Sequence, residues 1–511
     1  MFRMLLYICI SFGAGALAHF SMAPYNFPPI LLFAFPCFYY VLTKTEKTSL
    51  RFIYTWFFAF GYFLLGLSWI GNALLIPGNE EFLWAYPLAL IGLPILLALF
   101  PAFCVSILTR GLDYLRLEGW FGFIFAYTLS EVARGYLFTG FPWNSFGYTW
   151  FEVKPVLQSV SIGGIYFLTI LTVLWACVPA LFFVFSAPRN TRIAITGICI
   201  LIFIICFSYG TLRISSYTPS SSSNVMVHVI QPNIAQHLKW ERDQIYNHHL
   251  QLLNLTEQAV TPYPDKINLV IWPETATTIS YLTSTDIKKE IEKILGDTPQ
   301  NRLITGILRF EQNTEKKTLY NSLSVFTPDL TVTGIYDKHH LVPFGEYIPF
   351  KGYIPLTTIT QFSGFKPGNG PHTITAKSNE VLMLPLICYE SIFPKNVFPD
   401  NGHAPTLLVN VTNDGWYGNS AGPRQHMIQS VFRSVETGLP LIRSANTGIS
   451  VVSDPLGQIL KELPLETQGY ISIPLPHSLQ DPTPYSNNRT ILILGLFTLF
   501  FILSRFLKHK K

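Results

Sequence analysis

Charge is what this chain has least of. Only 13% of its 511 residues are Asp, Glu, Lys or Arg, against about 25% in soluble globular proteins. With 49% of the residues apolar, disorder and collagen-like structure are excluded. Basic runs are lacking too. The net charge is +5, yet there is no stretch of five Lys or Arg and no basic stripe interleaved with stacking aromatics, so no nucleic-acid partner is expected. His248-His249 and His339-His340 are adjacent pairs rather than the i,i+4 pair of a helical zinc site, and neither a metal nor another cofactor is expected. Cysteine is scarce where pairing would matter. Six of the seven (Cys9, Cys37, Cys104, Cys177, Cys199 and Cys206) fall in long apolar runs, which leaves Cys388 alone in the remainder. Internal repeats and low-complexity tracts are absent.

What is present is a series of apolar stretches near the length that spans a bilayer, about 20 residues as a helix. They cover residues 4–21, 27–43, 52–75, 85–109, 157–185, 193–212 and 490–507. An eighth, 119–138, places Glu131 and Arg134 inside a span at i,i+3 spacing, where ionisable groups are costly and tend to mark a site. One set of connections carries Arg3, then Lys44, Lys47 and Arg51, then Arg110 and Arg116, then Arg189 and Arg192, then Arg505, Lys508, Lys510 and Lys511. The opposite loops hold Lys154 among Glu80, Glu81 and Glu152. The positive-inside rule puts both termini in the cytoplasm and everything between the seventh and eighth spans outside it. Ala16-Leu17-Ala18 after the first run also fits a signal-peptide cleavage site; the expectation is a retained span, and its removal would leave the other orientations unchanged.

The composition shifts at residue 216, where a Ser-rich tether runs to Ser223. Apolar runs predict strands at 225–230, 267–272, 303–310, 322–326, 331–336, 381–387, 407–411 and 449–453, with helices at 244–259, 285–295 and 424–437. This mixture predicts a layered α/β domain. Three parts result: a seven-helix membrane region over 1–215, an extracytoplasmic domain over 216–488 and a final helix with a basic tail over 489–511.

Within that domain, Cys388 follows the apolar run 381–387 and so stands at the carboxyl end of a strand, where α/β sheets build their sites. A lone cysteine in an oxidising compartment is either an inert core residue or one kept for reactivity. Glu274 follows Trp272-Pro273 at the end of a second strand, and Lys338 follows a third. Each alone reads as an ordinary surface or core residue. Together, Trp272-Pro273-Glu274, the run from Lys338 through Leu341-Val342-Pro343-Phe344-Gly345-Glu346, and Cys388-Tyr389-Glu390 resemble the carbon-nitrogen hydrolase (nitrilase) superfamily with its Glu-Lys-Cys triad. With the spans around the domain, the whole chain resembles the bacterial apolipoprotein N-acyltransferase family. Further motifs carry the likeness: Gln231-Pro232-Asn233-Ile234 with Leu238-Lys239-Trp240, Tyr320-Asn321-Ser322, Thr412-Asn413-Asp414-Gly415-Trp416-Tyr417-Gly418, and Gly140-Phe141-Pro142-Trp143. Gly415 and Tyr417 are conservative departures.

The resemblance implies a nitrilase-like αββα sandwich inserted between the seventh and eighth helices of an eight-helix membrane bundle. It implies a bacterial inner-membrane location, a periplasmic domain and, as partners, a phospholipid acyl donor and a diacylated apolipoprotein acceptor, with a monomer expected. Acyl transfer needs a nucleophile, a base and a holder for the oxyanion. Those roles fall to Cys388, Glu274 and Lys338. Glu346 is implied to assist near the lysine, Tyr389 and Glu390 to shape the pocket, and Trp240, Asn321 and Trp416 to support it. Arg134, with Trp143 and Asn144, is a candidate receptor for a phosphate headgroup; an ion pair with Glu131 that only ties helices is the alternative. The apolar stretch 347–364 reads as a lid over lipid or as a packed loop. The rival activity is a membrane-tethered amidase, in which water resolves the thioester. A transporter is disfavoured, because only one span carries charges and no paired set of broken spans is evident.

Overall fold

The computed structural model describes residues 2–278, 282, 284–313, 316–349, 364–377, 381–399, 402–488 and 491–506. The chain forms two compact units. One comprises Met1–Gly71, Ala85–Tyr217 and Thr483–Lys511, the other Asn72–Trp84 and Thr218–Pro482.

The first unit is helical. Its main helices are α1 (Phe2–His19), α2 (Leu31–Leu42), α3 (Thr48–Gly66), α4 (Leu93–Leu108), α5 (Leu117–Tyr136), α6 (Val160–Cys177) and α7 (Arg189–Ser216), with Ile491–Phe506 closing the chain. Small residues let backbones approach, as membrane helices require. A Cβ at Gly15 of α1 would stand 1.8 Å from the Phe58 carbonyl oxygen of α3. Phe35, Phe38, Phe58, Phe123, Tyr127 and Phe146 interlock at ring-centroid separations of 4.2 to 6.4 Å. Each of the eight apolar stretches contains helix among its described residues. By length and composition, Phe2–His19, Glu80–Leu108, Val160–Phe183 and Arg189–Ser216 are able to cross a membrane, and a fifth span results if Thr48–Gly66 and Ser68–Leu75, bent by 45°, count as one. Pro28–Leu42 and Ile491–Phe506 are apolar but shorter.

The second unit is a sandwich of two mixed sheets. β1 (Ser221–Gln231), β2 (Ile267–Thr278), β3 (Arg302–Asn313), β4 (Lys316–Phe326), β5 (Val332–Asp337), β6 (Ile374–Lys377), β7 (Val381–Ile387), β8 (Leu407–Thr412), β9 (Leu441–Ala445), β10 (Ser450–Ser453), β11 (Ile459–Leu463) and β12 (Gly469–Pro476) order themselves β12-β1-β2-β3-β4-β5 and β11-β10-β9-β8-β7-β6. At the centre of each sheet three strands run parallel, β1-β2-β3 in one and β7-β8-β9 in the other. Strands covered on both faces read as apolar runs; β7 is such a run, and β8 is one interrupted by Asn410. Val227, Leu269, Ile271, Leu323, Met383, Val409, Ile442 and Val452 fill the space between the sheets. Two helices, α8 (Ile245–Val260) and α9 (Thr285–Leu295), cover the first sheet. On α9, Ile287, Ile291 and Leu295 recur at helical spacing and bury against Val270, Trp272 and Leu303. A third helix, α10 (Ala421–Thr437), is buried from Gly422 to Thr437 except at Arg424, starts on the Ser420 side chain and ends at Gly438 with φ 74°.

Four strands lie where no strand was predicted: β6, β9, β11 and β12. Arg443 interrupts the apolar run of β9, and β11 alternates charged Lys461 and Glu462 on a partly exposed hairpin.

Candidate active site

The buried run of β7 ends at Cys388, the first residue of a 3-10 turn, Cys388–Ile392. Cys388 has φ 50°, a left-handed conformation that a non-glycine residue holds only when its surroundings enforce it. Those surroundings are hydrogen bonds. Ile387 N donates to Glu390 Oε2 at 2.8 Å, Ser391 Oγ donates to the Cys388 carbonyl at 3.1 Å, and His426 Nε2 lies 3.1 Å from the same oxygen. His426 Nδ1 is 2.8 Å from Asp414 Oδ1, and Arg443 Nη2 donates to Asp414 Oδ2 at 2.7 Å. Arg443 also donates to Asn410 Oδ1 and Ser430 Oγ. Burial opposes the Asp414 charge, yet Arg443 and His426 outweigh it and hold the carboxyl down at about 2. Burial, with the Arg443 charge, pushes His426 below its ordinary value. His426 thus lies between the Asp414–Arg443 ion pair and the Cys388 backbone carbonyl.

Glu274 was expected at a strand end; it sits instead inside β2, in a bulge. Between Trp272 and Thr277 the register against β3 slips, so that Trp272 pairs with Thr305 and Thr277 with Ile307. Such an insertion re-aims a side chain. The bulge presses on Gly306, where a Cβ would stand 2.5 Å from Glu274 Cα. Thr275, next in the bulge, has φ 48°. Lys239 Nζ donates to the Glu274 carbonyl at 2.9 Å and to Thr275 Oγ1 at 2.8 Å.

Lys338 follows β5 as expected and is 1% exposed. Its Nζ donates to Glu346 Oε1 at 2.9 Å and lies 3.5 Å from Glu274 Oε1. Burial works against the ammonium, but Glu346 and Glu274 overcome it and hold its charge well above the ordinary lysine range. Asn321 Nδ2 donates to both carboxylates, to Glu274 Oε1 at 2.8 Å and Glu346 Oε1 at 2.9 Å, while Val342 N donates to Glu346 Oε2 at 2.8 Å. Burial and then the Glu274 charge push the Cys388 thiol up, against the pull of Lys338. Cys388 at rest is therefore a thiol. One buried corner thus joins a thiol, a carboxylate and a permanent cation, the requirements of covalent acyl transfer.

Glu390 turns away from this corner. Its Oε1 accepts from His339 N at 2.8 Å and His340 N at 3.1 Å, and Tyr336 OH donates to Oε2 at 3.1 Å. It ties the turn after β7 to the loop after β5, so it sets the spacing of Cys388 and Lys338. Tyr389 is buried with its ring 5.6 Å from His340 and 4.9 Å from Phe393. Trp240 packs with Leu319 and Tyr347 on Leu308, Leu341 and Phe365. Trp416 is half-buried on the turn that Asp414 begins. Of the apolar stretch 347–364, residues 350–363 lie outside the described residues.

Arg134 and Trp143 belong to the helical unit. The Arg134 Nη2 is 2.5 Å from Glu131 Oε2, and Nη1 donates to the carbonyls of Phe141 and, at 2.8 Å, Trp143. Trp143 is buried with its ring 4.6 Å from that of Trp69. At 1% exposure the guanidinium is directed at its own helix and loop, which is the geometry of a helix tie and not of an open headgroup receptor. Among the described residues no group of three His, Cys, Asp or Glu side chains is placed to hold a metal ion.

Sequence reading missed Asp414, His426 and Arg443 as a unit, and it missed Gly306. Only Asp414 stood in a motif that had been singled out.

Two family models match: the apolipoprotein N-acyltransferase N-terminal domain over residues 14–178 and carbon-nitrogen hydrolase over residues 227–485. An apolipoprotein N-acyltransferase from Rhodopseudomonas palustris is 35% identical over 497 residues, covering 93% of this chain and 90% of its own length. One from Rickettsia typhi is 34% identical over 480 residues, 93% of each chain. Among solved structures, Saccharomyces cerevisiae Nit3, a member of branch 10 of the nitrilase superfamily, is 18% identical with a TM-score of 0.36, covering 53% of this chain and 95% of its own. The domain accordingly has the carbon-nitrogen hydrolase fold, and the chain belongs to the apolipoprotein N-acyltransferase family.

Proposed function

We propose that this chain N-acylates lipoproteins by ping-pong chemistry at Cys388. Glu274 takes the thiol proton as sulfur attacks the sn-1 ester carbonyl of a phospholipid, phosphatidylethanolamine being the expected donor. Lys338 holds the oxyanion. The ester C–O bond breaks, Glu274 returns its proton to the departing alcohol, and a lysophospholipid leaves behind a thioester. The α-amine of an S-diacylglyceryl cysteine then attacks that thioester. Its proton passes through Glu274 to the sulfur as the C–S bond breaks, and an amide results. Glu346 and Asn321 keep Lys338 and Glu274 in register, Glu390 spaces the strand ends, and Tyr389, Trp240 and Trp416 shape the pocket.

The observation that carries this reading is Lys338 held between two carboxylates in the same buried corner as Cys388. Both substrates are membrane lipids, and the chain's apolar helices fit a membrane protein. The finer reading takes eight spans, 1–215 and 489–511 forming the membrane part and 216–488 a periplasmic domain inserted between the seventh and eighth helices. It places the protein in a bacterial inner membrane with both termini cytoplasmic.

Transfer is tested with purified protein, phosphatidylethanolamine and a diacylglyceryl-cysteine peptide, the peptide product being read by mass. The expected result is one added acyl chain on the peptide amine. Labelled free fatty acid with no acylated peptide would overturn transfer and favour hydrolysis by water.

A further inference from the structure

The charges of the site balance only when a residue outside the triad is counted. Lys338 is shared by Glu346 at 2.9 Å and Glu274 at 3.5 Å, so these three groups sum to one uncompensated negative charge. The chemistry adds to that burden, since a thiolate and then an oxyanion form beside them. Buried charge is tolerated when it is paired. The structure holds a second buried cation here. Lys239, carried in by the 3-10 turn Gln236–Leu238, is 6% exposed, and its Nζ meets the Glu274 carbonyl and Thr275 Oγ1 in the bulge. Thr275 is β-branched with φ 48°, a conformation that persists only where neighbours over-determine it.

We infer that Lys239 is a positioning residue for the acyl-transfer reaction: it pins the bulge that aims Glu274 and supplies the second positive charge that balances the two carboxylates around Cys388. The inference rests on the reading of Glu274 as the base for Cys388. Glu274, and Cys388 once ionised, are the charges that face Lys239 favourably; His248 of α8 also meets Lys239, and burial, with the Lys239 charge, disfavours its protonation against a hydrogen bond to the Lys239 backbone. Burial brings the Lys239 ammonium down to about 8 even with Glu274 opposing, so its charge is present at neutral pH and lost above it.

The test is the pH dependence of iodoacetamide alkylation at Cys388, read by peptide mass spectrometry on full-length protein in detergent. Wild type, Lys239→Met, Lys239→Gln, Lys239→Arg and Glu274→Gln are compared. Lys239→Met is expected to slow alkylation at pH 7 about tenfold, the smaller end of what a neighbouring charge does, the difference from wild type narrowing above about pH 8 as wild-type Lys239 loses its own charge. Lys239→Gln keeps a donor for the Glu274 carbonyl but no charge, and it is expected to show the same slowing. It carries the test alone if the Met variant does not fold. Lys239→Arg is expected to restore the wild-type rate at pH 7. Glu274→Gln altering the profile while the Met and Gln variants keep the wild-type rate at pH 7 would overturn the role of Lys239. An unchanged profile in Glu274→Gln would instead overturn the base reading on which it stands.

Discussion

Two buried ion clusters in this molecule are built from the same residue types and are put to different uses. In the helical unit, Arg134 meets Glu131 and turns its remaining donors to the carbonyls of Phe141 and Trp143. Asn144 and Tyr62 continue that network, Asn144 Nδ2 donating to the Gly66 carbonyl at 3.0 Å and Tyr62 OH to the Asn144 carbonyl at 2.6 Å. In the domain, one Lys338 is divided between two carboxylates, and a thiol stands in their field. The first cluster ends partly on loop carbonyls, while Glu131 Oε1 and Arg134 Nε stay buried without a hydrogen-bond partner. The second concentrates unlike charges beside a thiol. A buried charge whose donors end on carbonyls has the geometry of a tie; a buried cation shared by carboxylates beside a thiol has the composition that covalent acyl transfer requires.

The contrast is broken most directly by removing one partner from each cluster. Cys388→Ala is expected to abolish covalent adducts at this position, and Lys338→Met to slow acyl-enzyme formation about 100- to 1000-fold, as loss of an oxyanion holder does, in single-turnover assays. Arg134→Leu is expected to destabilise the protein by about 3–5 kcal/mol, because Glu131 is left buried and unpaired, with Cys388 alkylation per folded molecule unchanged. Thermal unfolding and alkylation together measure this, and a loss of reactivity matching Lys338→Met would erase the distinction. Gly306→Ala should cost about 1–3 kcal/mol through overpacking, since the new Cβ meets Glu274 Cα at 2.5 Å. It should also slow acylation, and an unchanged rate would show that the bulge does not aim Glu274.

The smallest effect concerns the tie between the two strand ends. Burial opposes the charge of His339, but its bond to Glu390 raises it above its ordinary 6.5. Its contribution to stability is full below that value and is lost as pH rises through the raised one. Burial opposes the Glu390 charge too, and His339 lowers it below the ordinary 4.5, so its contribution is present above that value and lost as pH falls through the lowered one. The melting temperature should therefore be highest between about pH 4.5 and 6.5. Glu390→Gln should flatten that maximum in a pH series of thermal melts.

Much of this was legible in the residues, because most of the parallel strands announce themselves as largely apolar runs. Cys388 stood out at the end of parallel β7, and Lys338 at the end of antiparallel β5. Glu274 was expected at a strand end and lies instead in a bulge inside β2, since that bulge abuts Gly306 of another strand and Lys239 of another turn. Asp414, His426 and Arg443 escaped notice for the same reason. They lie on a turn, a helix and a strand, and only the fold brings them under the Cys388 carbonyl. Arg443 also hid its own strand, because a charge inside an apolar run argues against burial until its partner is known. The apolar helices were visible as runs of adequate length, whereas the fate of Arg134 depended on carbonyls of a loop whose path no periodicity records.

The central claim is that Cys388 carries an acyl chain taken from a phospholipid. Intact mass of full-length wild type and Cys388→Ala after incubation with phosphatidylethanolamine labelled in its sn-1 chain tests it most directly. A hydroxylamine-labile acyl adduct on wild type and none on the variant is the predicted result. No adduct on either protein, or the same adduct on both, would contradict it.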